Sequence, residues 1–442
     1  MRRPSRAPIF TAALLSLLSA PPQTHAVPPS FLKDIAPILK DRCLECHQSS
    51  KSKGAYRLDT VSHMLKAGSS GAKPLVPGKP SEGEFLRLLM THDAEERMPK
   101  DADPLPPDLV QTIQNWIEQG TPIGALNPDT PWAPLVAPKP INPPTSYPQR
   151  FPVSALTFTP DGKHLLVGGY GEILEWSLSP KPVLQRRLQG APERIFALAT
   201  SDEVLLAAGG SPGRHGQVAS FHLTSGAQNL NLSPAPDLFL DATISPDRSV
   251  VALAGADHAL HLVSLTNGET RKRIEQHADK VTRVTFLSEG KQLLSVSRDK
   301  SARITNTNSG TMEQGYVEHG EPVVMCAPTS DGNMVSVARD RSIHLWSSSN
   351  GKKSAAGRMD GTEAIGAFTL GDSLWVIDGD AILREWSLTS KKPSGKSLKI
   401  NEKVSAWSLS TAGALALGLI DGTVVIYPPK LEGTPLIFRA VP

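Results

Sequence analysis

The sequence has few cysteines, few aromatic residues and only one long apolar run. Of its 442 residues three are cysteines, and Phe, Trp and Tyr together make up 5%. Three is an odd number, and two of the cysteines share one motif, which leaves Cys326 alone. The apolar run, residues 9–20, is too short to span a bilayer, and no later segment is long and apolar enough to do so. We therefore expect no membrane-spanning segment in the mature chain.

The charge is also nearly balanced, because the small excess of basic residues lies at the N-terminus. Residues 1–26 resemble a secretory signal peptide, with three arginines, the apolar run and small residues before a cleavage site after Ala26. The formal net charge is +3, and this segment carries three Arg and no acid, so the mature chain has 3 − 3 = 0. A nucleic-acid-binding surface is therefore not predicted. We expect an exported, periplasmic location.

One short motif, Cys43-x-x-Cys46-His47, has three chemical interpretations. A structural zinc site needs a second Cys/His pair, which is missing at usable spacing. A redox C-x-x-C motif does not need the adjacent histidine. Covalent haem attachment uses all three residues, because two thiols bind the haem vinyl groups and the imidazole becomes the proximal iron ligand. We predict one haem c, and the alternative is a disulfide beside a chance histidine.

The residues after this motif are expected to form short helices around the haem. Pro37 suits the start of a first helix, Ser81 and Glu84 have capping-box spacing for a second, and Pro106 and Pro107 open a third that Gly120 closes. Met98, in an acidic and Pro-rich loop, is the best candidate for the sixth iron ligand. A surface methionine is the alternative for Met98, and the other candidates are His63, Met64, Met90 and His92.

Five separated blocks carry a family resemblance: "FLKDIAPILKDRCLECH", "KGAYRLDT", "VPGKPSEGEFLRLL", "RMPK" and "LPPDLVQTIQNWIEQG". In this order and spacing, residues 30–125 resemble the planctomycete-type cytochrome c domain. The resemblance implies an all-α fold, Cys43 and Cys46 as attachment points, His47 as proximal ligand and Met98 as distal ligand. Members usually have "MPP" where this chain has Met98-Pro99-Lys100, a difference that keeps the ligand.

The rest of the chain is predicted to be a linker followed by repeats. Residues 122–152 are Pro-rich and indicate an extended spacer, in which Trp132 and Leu135 are apolar enough to pack on a domain surface. Residues 153–442 then repeat with a period of 40 to 45 residues, typical of a propeller with four strands per blade. Seven repeats predict seven blades, with equivalent positions at Trp176, Phe221, Val263, Thr305, Trp346, Trp386 and Tyr427.

Two further residue types recur in phase with these repeats. An aspartate six residues before the repeat position is expected to accept hydrogen bonds from turn amides, at Asp257, Asp299, Asp340, Asp380 and Asp421. His277 and His319 lie 22 and 21 residues before Asp299 and Asp340, respectively. This spacing resembles the His/Asp pairing of WD-repeat propellers, and we interpret both histidines as hydrogen-bonded structural residues. Cys326 is predicted to be a buried thiol. The turn containing Arg214 and His215 is expected to expose both side chains on the rim.

We therefore expect a multidomain protein: a signal peptide (1–26), a small all-α cytochrome c domain (27–121), the linker and an all-β seven-bladed propeller. The first functional hypothesis is a single-electron carrier whose propeller docks redox partner proteins. The alternatives are a haem- or propeller-based enzyme, such as a peroxidase, or a haem sensor. No clustered carboxylates or nucleophile–base pair can be identified in the repeats, so an enzyme is less favoured, and no catalytic residue is predicted.

Overall fold

The computed structural model describes residues 29–441, except residues 50, 101, 137–140, 148 and 149. The predicted signal peptide, residues 1–26, lies outside the described residues. Among those that are described, no helix is long and apolar enough to cross a membrane.

The N-terminal part of the described chain is a small, mostly helical unit. A π-helical turn over Phe31–Ile35 runs into α1 (Ala36–Arg42), and α2 (Val61–Met64), α3 (Glu84–Met90) and α4 (Pro107–Glu118) follow. Between α1 and α2, β1 (His47–Gln48) pairs with β2 (Lys51–Ser52) in a short antiparallel ribbon. The three predicted helices are therefore present, accompanied by a one-turn helix and a ribbon that the sequence did not predict.

Proline and glycine set the helix ends as expected in two cases. Pro107 is the first residue of α4, where the missing N–H has no cost, whereas Pro37 lies at the junction of the π-helical turn and α1. Gly120 follows α4 with φ of +83°, the left-handed conformation that glycine adopts most easily. The predicted capping box of α3 is wrong. Gly83 precedes the helix without a side-chain cap, because Ser81 lies in a separate 3₁₀ turn over Pro80–Glu82.

One apolar core holds the N-terminal unit together. The ring of Phe31 lies 5.6 Å from that of Trp116 in α4 and 5.7 Å from that of Trp132, which it meets edge-on. All three side chains are buried. Aromatic side chains of this size contribute a large part of core stability, so Trp132 belongs energetically to this unit although it lies in the Pro-rich segment.

The Pro-rich segment is fixed at both ends and is a strap rather than a free tether. Nε1 of Trp132 donates a hydrogen bond to the carbonyl oxygen of Leu58 at 2.5 Å. At the other end, the hydroxyl of Tyr147 donates to Glu172 at 2.8 Å, and this buried carboxylate also accepts from Arg187. Hydrogen bonds to a buried carboxylate are strong and require a defined geometry, so these contacts hold this end of the strap against the first blade.

The remaining chain forms seven four-stranded antiparallel sheets, each made of consecutive strands. The first three blades contain β3 (Leu156–Phe158), β4 (His164–Gly168), β5 (Glu172–Ser177), β6 (Val183–Gln189); β7 (Arg194–Thr200), β8 (Val204–Ser211), β9 (His215–His222), β10 (Gln228–Ala235); and β11 (Phe239–Ile244), β12 (Val250–Gly255), β13 (Leu260–Ser264), β14 (Thr270–Ile274).

Blades 4 to 7 follow in the same order. Their strands are β15 (Val281–Leu287), β16 (Gln292–Ser297), β17 (Ala302–Asn306), β18 (Met312–Tyr316); β19 (Val323–Pro328), β20 (Met334–Ala338), β21 (Ser342–Trp346), β22 (Lys353–Arg358); β23 (Ala364–Leu370), β24 (Ser373–Asp378), β25 (Ile382–Ser387), β26 (Lys392–Lys399); and β27 (Val404–Leu409), β28 (Leu415–Leu419), β29 (Thr423–Tyr427), β30 (Leu436–Arg439). The prediction of a seven-bladed propeller is confirmed. Each repeat position lies on the third strand of its blade.

The first strand of each blade lines a central channel, and the ring closes between blades 7 and 1. The backbone N–H of Val153 donates to the carbonyl of Leu419, and the hydroxyl of Ser405 donates to the carbonyl of Val153. Nε1 of Trp176 donates to the carbonyl of Ala440 at 3.1 Å. Since no blade mixes strands from the two ends of the repeat region, these contacts between neighbouring blades close the ring.

Candidate functional site

The C-x-x-C-H segment is a tight turn at the end of α1. The N–H of Cys43 still bonds to the carbonyl of Leu39, and two further i→i+3 bonds follow, from Cys46 to Cys43 and from His47 to Leu44. Cys43 and Cys46 are free thiols, each partly buried. This local winding keeps the three predicted haem-binding residues within one turn of chain at the edge of the N-terminal core.

The imidazole of His47 is oriented by a backbone carbonyl. Its Nδ1 lies 3.1 Å from the carbonyl oxygen of Tyr56, and the two rings meet edge-on with centroids 5.6 Å apart. A carbonyl oxygen only accepts hydrogen bonds, so Nδ1 carries the proton and Nε2 keeps a lone pair. Metal-binding histidines usually have this arrangement, in which the second ring nitrogen donates to a carbonyl or carboxylate.

Cys43 and Tyr56 are neutral groups in an apolar environment. Burial raises the pKa of the Cys43 thiol to about 12, and burial, together with the nearby thiol, raises the pKa of Tyr56. The hydroxyl of Tyr56 donates to the carbonyl of Met64 at 2.9 Å. Redox-active C-x-x-C motifs depend on a thiolate with a lowered pKa, which Cys43 does not have. Its thiol is suited to an apolar partner instead.

Met98 lies in the irregular loop after α3, as its sequence context indicates. Its backbone N–H donates to the carbonyl of Leu88 at 2.9 Å, and its side chain packs against the N-terminal core. Cys43 and Tyr56 pack against the same core. The fold thus brings Met98 to the apolar cluster that also borders the C-x-x-C-H turn. Its role as an iron ligand stays a prediction.

The other candidate ligands have structural contacts or lie on the surface. Met64 is 1% exposed and fills the core, as expected of a methionine in an apolar helix. Met90, in a similar pattern, is 56% exposed because α3 ends there. Nδ1 of His63 bonds to the hydroxyl of Thr60, the N-cap of α2. His92 lies exposed in the loop that follows α3.

The donor set fits covalent haem better than a bare metal ion. The thiol of Cys43 and the thioether of Met98 border one apolar cluster, whose edge also includes the partly buried Leu44, Phe85 and Leu109. Cys46 and His47 follow Cys43 in the same turn, and the ring of His47 contacts that of Tyr56 at this edge. Among the described residues, no group of three or more His, Cys, Asp or Glu side chains could hold a metal ion. Cys43, Cys46, His47 and Met98 could together hold a haem, because a haem iron needs only the last two as protein ligands.

The propeller histidines are hydrogen-bonded structural residues, as predicted. In blade 4, His277 contacts Asp299 through Nδ1 and Ser295 through Nε2, both at 2.9 Å. In blade 5, His319 contacts Ser336 through Nε2 at 2.8 Å and reaches its aspartate only through the hydroxyl of Ser342. Each histidine therefore connects neighbouring strands of one blade.

Three of the five recurring aspartates accept hydrogen bonds from turn amides as predicted, and the other two do not. Asp299, Asp340 and Asp421 each accept from the backbone N–H two residues later. In blade 6 Asp378 takes this task by accepting from the N–H groups of Asp380 and Ile382. In blade 3 the carboxylate of Asp257 instead contacts His261 at 3.0 Å and Arg273.

Cys326 lies on β19, partly buried against the core between blades 4 and 5, and burial raises the pKa of its thiol. The prediction for His215 is wrong in one respect. Arg214 is exposed, but His215 is half-buried, and burial, with the charge of Lys40 from α1 acting in the same direction, lowers its pKa. The rim of blade 2 therefore faces the chain's own N-terminal unit, and the strap residues 133–135 lie against β10.

A cluster that sequence reasoning missed lies in the central channel. Arg283, Arg298 and Arg339 line a cavity of about 450 Å³ at one end, together with Asp241 and Trp407. The guanidinium carbon of Arg283 lies 4.5 Å from the centre of the Trp407 ring. These residues come from blades 3, 4, 5 and 7, so no local motif signals their meeting.

Two segments match known protein families. Residues 43–102 match the planctomycete cytochrome C family, and residues 268–306 match the WD domain, G-beta repeat. The first match includes Cys43, Cys46, His47 and Met98. The second runs from β14 of blade 3 to β17 of blade 4 and includes the hydrogen-bonded pair of His277 and Asp299.

Curated relatives share short parts of the chain. A WD repeat domain-containing protein 83 homolog of Dictyostelium discoideum is 26% identical over 123 residues, which are 27% of this chain and 38% of that protein. A WD repeat-containing protein 55 homolog of Drosophila willistoni is 33% identical over 82 residues, 18% of this chain and 16% of the relative. The matches thus span well under half of these relatives. The chain thus combines a segment that matches the planctomycete cytochrome C family with a seven-bladed propeller, one part of which matches the WD domain, G-beta repeat.

Proposed function

We propose that this protein is an exported c-type cytochrome that carries single electrons, with the propeller as the platform that docks its redox partner. The observation that carries the proposal is the contact between Nδ1 of His47 and the carbonyl of Tyr56, which leaves Nε2 available on the C-x-x-C-H turn. The family match over residues 43–102 supports the same assignment.

In this proposal each residue has a separate task. Cys43 and Cys46 would hold the haem through two thioether bonds, because each S–H group can add across one vinyl group without an oxidant. His47 and Met98 would be the protein ligands of the iron, and the small, mostly helical unit would supply apolar walls. A haem held in this way would exchange one electron at a time, and methionine ligation would raise its reduction potential.

The chain's own residues also restrict access to this site. Met98 as an iron ligand would leave no position open to a substrate, which favours a carrier over an enzyme. Tyr56 fixes the proton on Nδ1 of His47 through its carbonyl, so the imidazole cannot rotate away without losing that bond. Electron exchange then requires only that a partner reach the haem edge. The propeller is the proposed binding surface for that partner. The proposed export of the protein rests on the predicted signal peptide.

The decisive experiment is the visible spectrum of the reduced protein, produced in a host with c-type haem maturation, before and after carbon monoxide. We expect a haem that stays attached after denaturation and a spectrum that carbon monoxide does not change. A shifted spectrum would mean an accessible iron and would favour an enzyme or a sensor. A protein without attached haem would overturn the proposal as a whole.

A further inference from the structure

The cavity at one end of the propeller channel is rich in positive charge. It holds about 450 Å³, a volume within the range of ligand-binding cavities, and the first strands of the blades line it. Three of its lining residues are the arginines Arg283, Arg298 and Arg339, and Asp241 is the one carboxylate among the described lining residues. The cavity is therefore suited to an anion.

The single carboxylate is already engaged and does not cancel this charge. One oxygen of Asp241 accepts from the backbone N–H of Val284 at 2.9 Å, and the other lies 3.9 Å from Arg283. Arg283 in turn stacks over the indole of Trp407, at the other side of the channel. The pair Arg283–Trp407 thus bridges the channel between blades 4 and 7.

One glycine, Gly366, leaves space for the indole of the Arg283–Trp407 pair. A Cβ atom on Gly366, in the first strand of blade 6, would lie 2.0 Å from Cη2 of Trp407. The six-membered ring of the indole therefore packs against the neighbouring blade, where only glycine leaves space for it. The pair stays partly open to solvent, and tryptophan and arginine are among the residue types most enriched at binding hot spots.

Arg298 and Arg339 occupy equivalent positions on adjacent blades and remain open to solvent. Each follows the second strand of its blade, and its backbone N–H donates to the chain just before the first strand, at Lys280 and Pro322 respectively. Their side chains are 55% and 57% exposed. Arg298 lies 3.7 Å from Asp279, and Arg339 contacts Glu363 at 2.6 Å.

These pairs leave hydrogen-bonding capacity for a ligand. A guanidinium group has five N–H donors, and one carboxylate uses at most two of them. Exposed ion pairs of this kind contribute little stability, so a ligand carboxylate that is better enclosed can compete with Asp279 and Glu363. The planar fork of arginine matches a carboxylate in particular.

We propose that this cavity, defined by Arg283, Arg298, Arg339 and Trp407, binds the carboxylate side chains of an acidic segment of a partner protein. The inference rests on the proposed docking role of the propeller and specifies the docking face and the chemistry of the partner. The volume admits side chains rather than a folded domain, so the segment enters in extended form. Complementary charge would also accelerate association at low salt.

The test is calorimetric titration of the full-length, haem-loaded protein with a synthetic peptide, acetyl-Gly-Asp-Glu-Asp-Gly-amide. We expect binding that weakens as salt rises, and no binding of the Asn/Gln version of the peptide. The double variant R298Q/R339Q should bind at least tenfold more weakly. R248Q is the matched control, since Arg248 lines a groove at the opposite end of the inner strands and pairs with Asp202 at 2.9 Å, and it should bind like the native protein.

Three results would overturn the inference: no binding by the native protein, an equal loss in R248Q, or succinate binding as tightly as the peptide. The last result would identify a small-anion site instead. The haem spectrum of the same sample separates the two proposals. An intact, carbon monoxide-insensitive haem without peptide binding removes only the docking inference, whereas peptide binding by a protein that acquires no haem removes only the electron-transfer proposal.

Discussion

Nδ1 of His47 lies 3.1 Å from the carbonyl oxygen of Tyr56. This contact fixes the tautomer of the imidazole within the C-x-x-C-H turn, and the hydroxyl of the same tyrosine is tied to the carbonyl of Met64 in the core. The proposed proximal ligand is therefore positioned through Tyr56 by the packed interior.

Removing the two motif cysteines should abolish covalent haem attachment. In the Cys43→Ser/Cys46→Ser double variant neither thioether can form, so denatured protein should have the mass of the bare polypeptide. Cys326→Ser is the matched control, because this thiol lies in the propeller, and it should retain one haem. Mass spectrometry after denaturation measures both. Attached haem in the double variant would contradict the assignment.

Replacing Met98 should lower the reduction potential and open the iron to external ligands. Axial ligands set haem potentials over a wide range, so we expect Met98→Ala to lower the potential by on the order of 0.1 V. Carbon monoxide should then change the reduced spectrum. Met90→Ala is the control, since Met90 is exposed at the end of α3. An unchanged potential in Met98→Ala would remove Met98 from the site.

The strap should stabilise the N-terminal unit through Trp132. Truncating this fully buried indole removes its contact with Phe31 and the hydrogen bond to Leu58, so Trp132→Ala should cost about 3–5 kcal/mol. Trp132→Phe keeps most of the apolar volume and should cost less. Urea unfolding of the N-terminal unit, followed by haem absorbance, measures the difference. A midpoint equal to that of the native protein in Trp132→Ala would show that the strap does not stabilise this unit.

Gly366 should not tolerate a side chain. A Cβ atom there would overlap the indole of Trp407, and overpacking of this kind costs about 1–3 kcal/mol. Gly366→Ala should therefore lower the urea midpoint of the propeller. Gly320 has no heavy atom within 4 Å of the position of its Cβ, so Gly320→Ala should leave the midpoint unchanged. Equal effects of both substitutions would argue against close packing of Trp407 in the channel.

Acid should destabilise blade 5 through its stacked histidines. The rings of His319 and His344 lie 4.1 Å apart and nearly parallel. Burial, with the neighbouring imidazole, lowers the pKa of His319 to about 4, and burial lowers that of His344 as well. Both are neutral in the folded protein but take up a proton near pH 6.5 when unfolded.

The unfolded state therefore binds more protons between pH 6.5 and 4, and the free energy of unfolding should fall as the pH falls through this window. For His319 the loss is up to about 3 kcal/mol at pH 4. Urea titrations at several pH values measure it. In His319→Gln the slope over this window should decrease, after allowance for the lower stability of the variant at pH 7. An unchanged slope would show that His319 does not titrate in this way.

Features that depend on neighbouring residues could be predicted from the sequence. Pro107 marked the start of α4 because the φ angle of proline is fixed, and the repeat spacing revealed seven blades because each blade is folded from consecutive strands. The candidate site residues Cys43, Cys46 and His47 could be named for the same reason, since their motif lies within five residues of chain, and their role stays a prediction.

Three details of the structure differ from the sequence-based expectation. Ser81 has capping-box spacing, yet the chain between it and the helix forms its own turn, and Gly83 precedes α3. Asp380 lies at the repeat position, but the carboxylate of Asp378 accepts the hydrogen bonds from the turn amides instead. His215 belongs to a polar turn, and it is half-buried because the blade 2 rim faces α1 and its charged Lys40.

The sequence by itself thus determined the two kinds of unit, the number of blades and the C-x-x-C-H motif, because each depends on the spacing of residues that are close together in the chain. Tertiary structure alone decided that Trp132 joins the N-terminal core, that Tyr56 orients His47, and that Arg283 meets Trp407 across the channel. Arg283 and Trp407 are more than 100 residues apart. Closure of the ring brings such positions together, and no local pattern of residues predicts this contact.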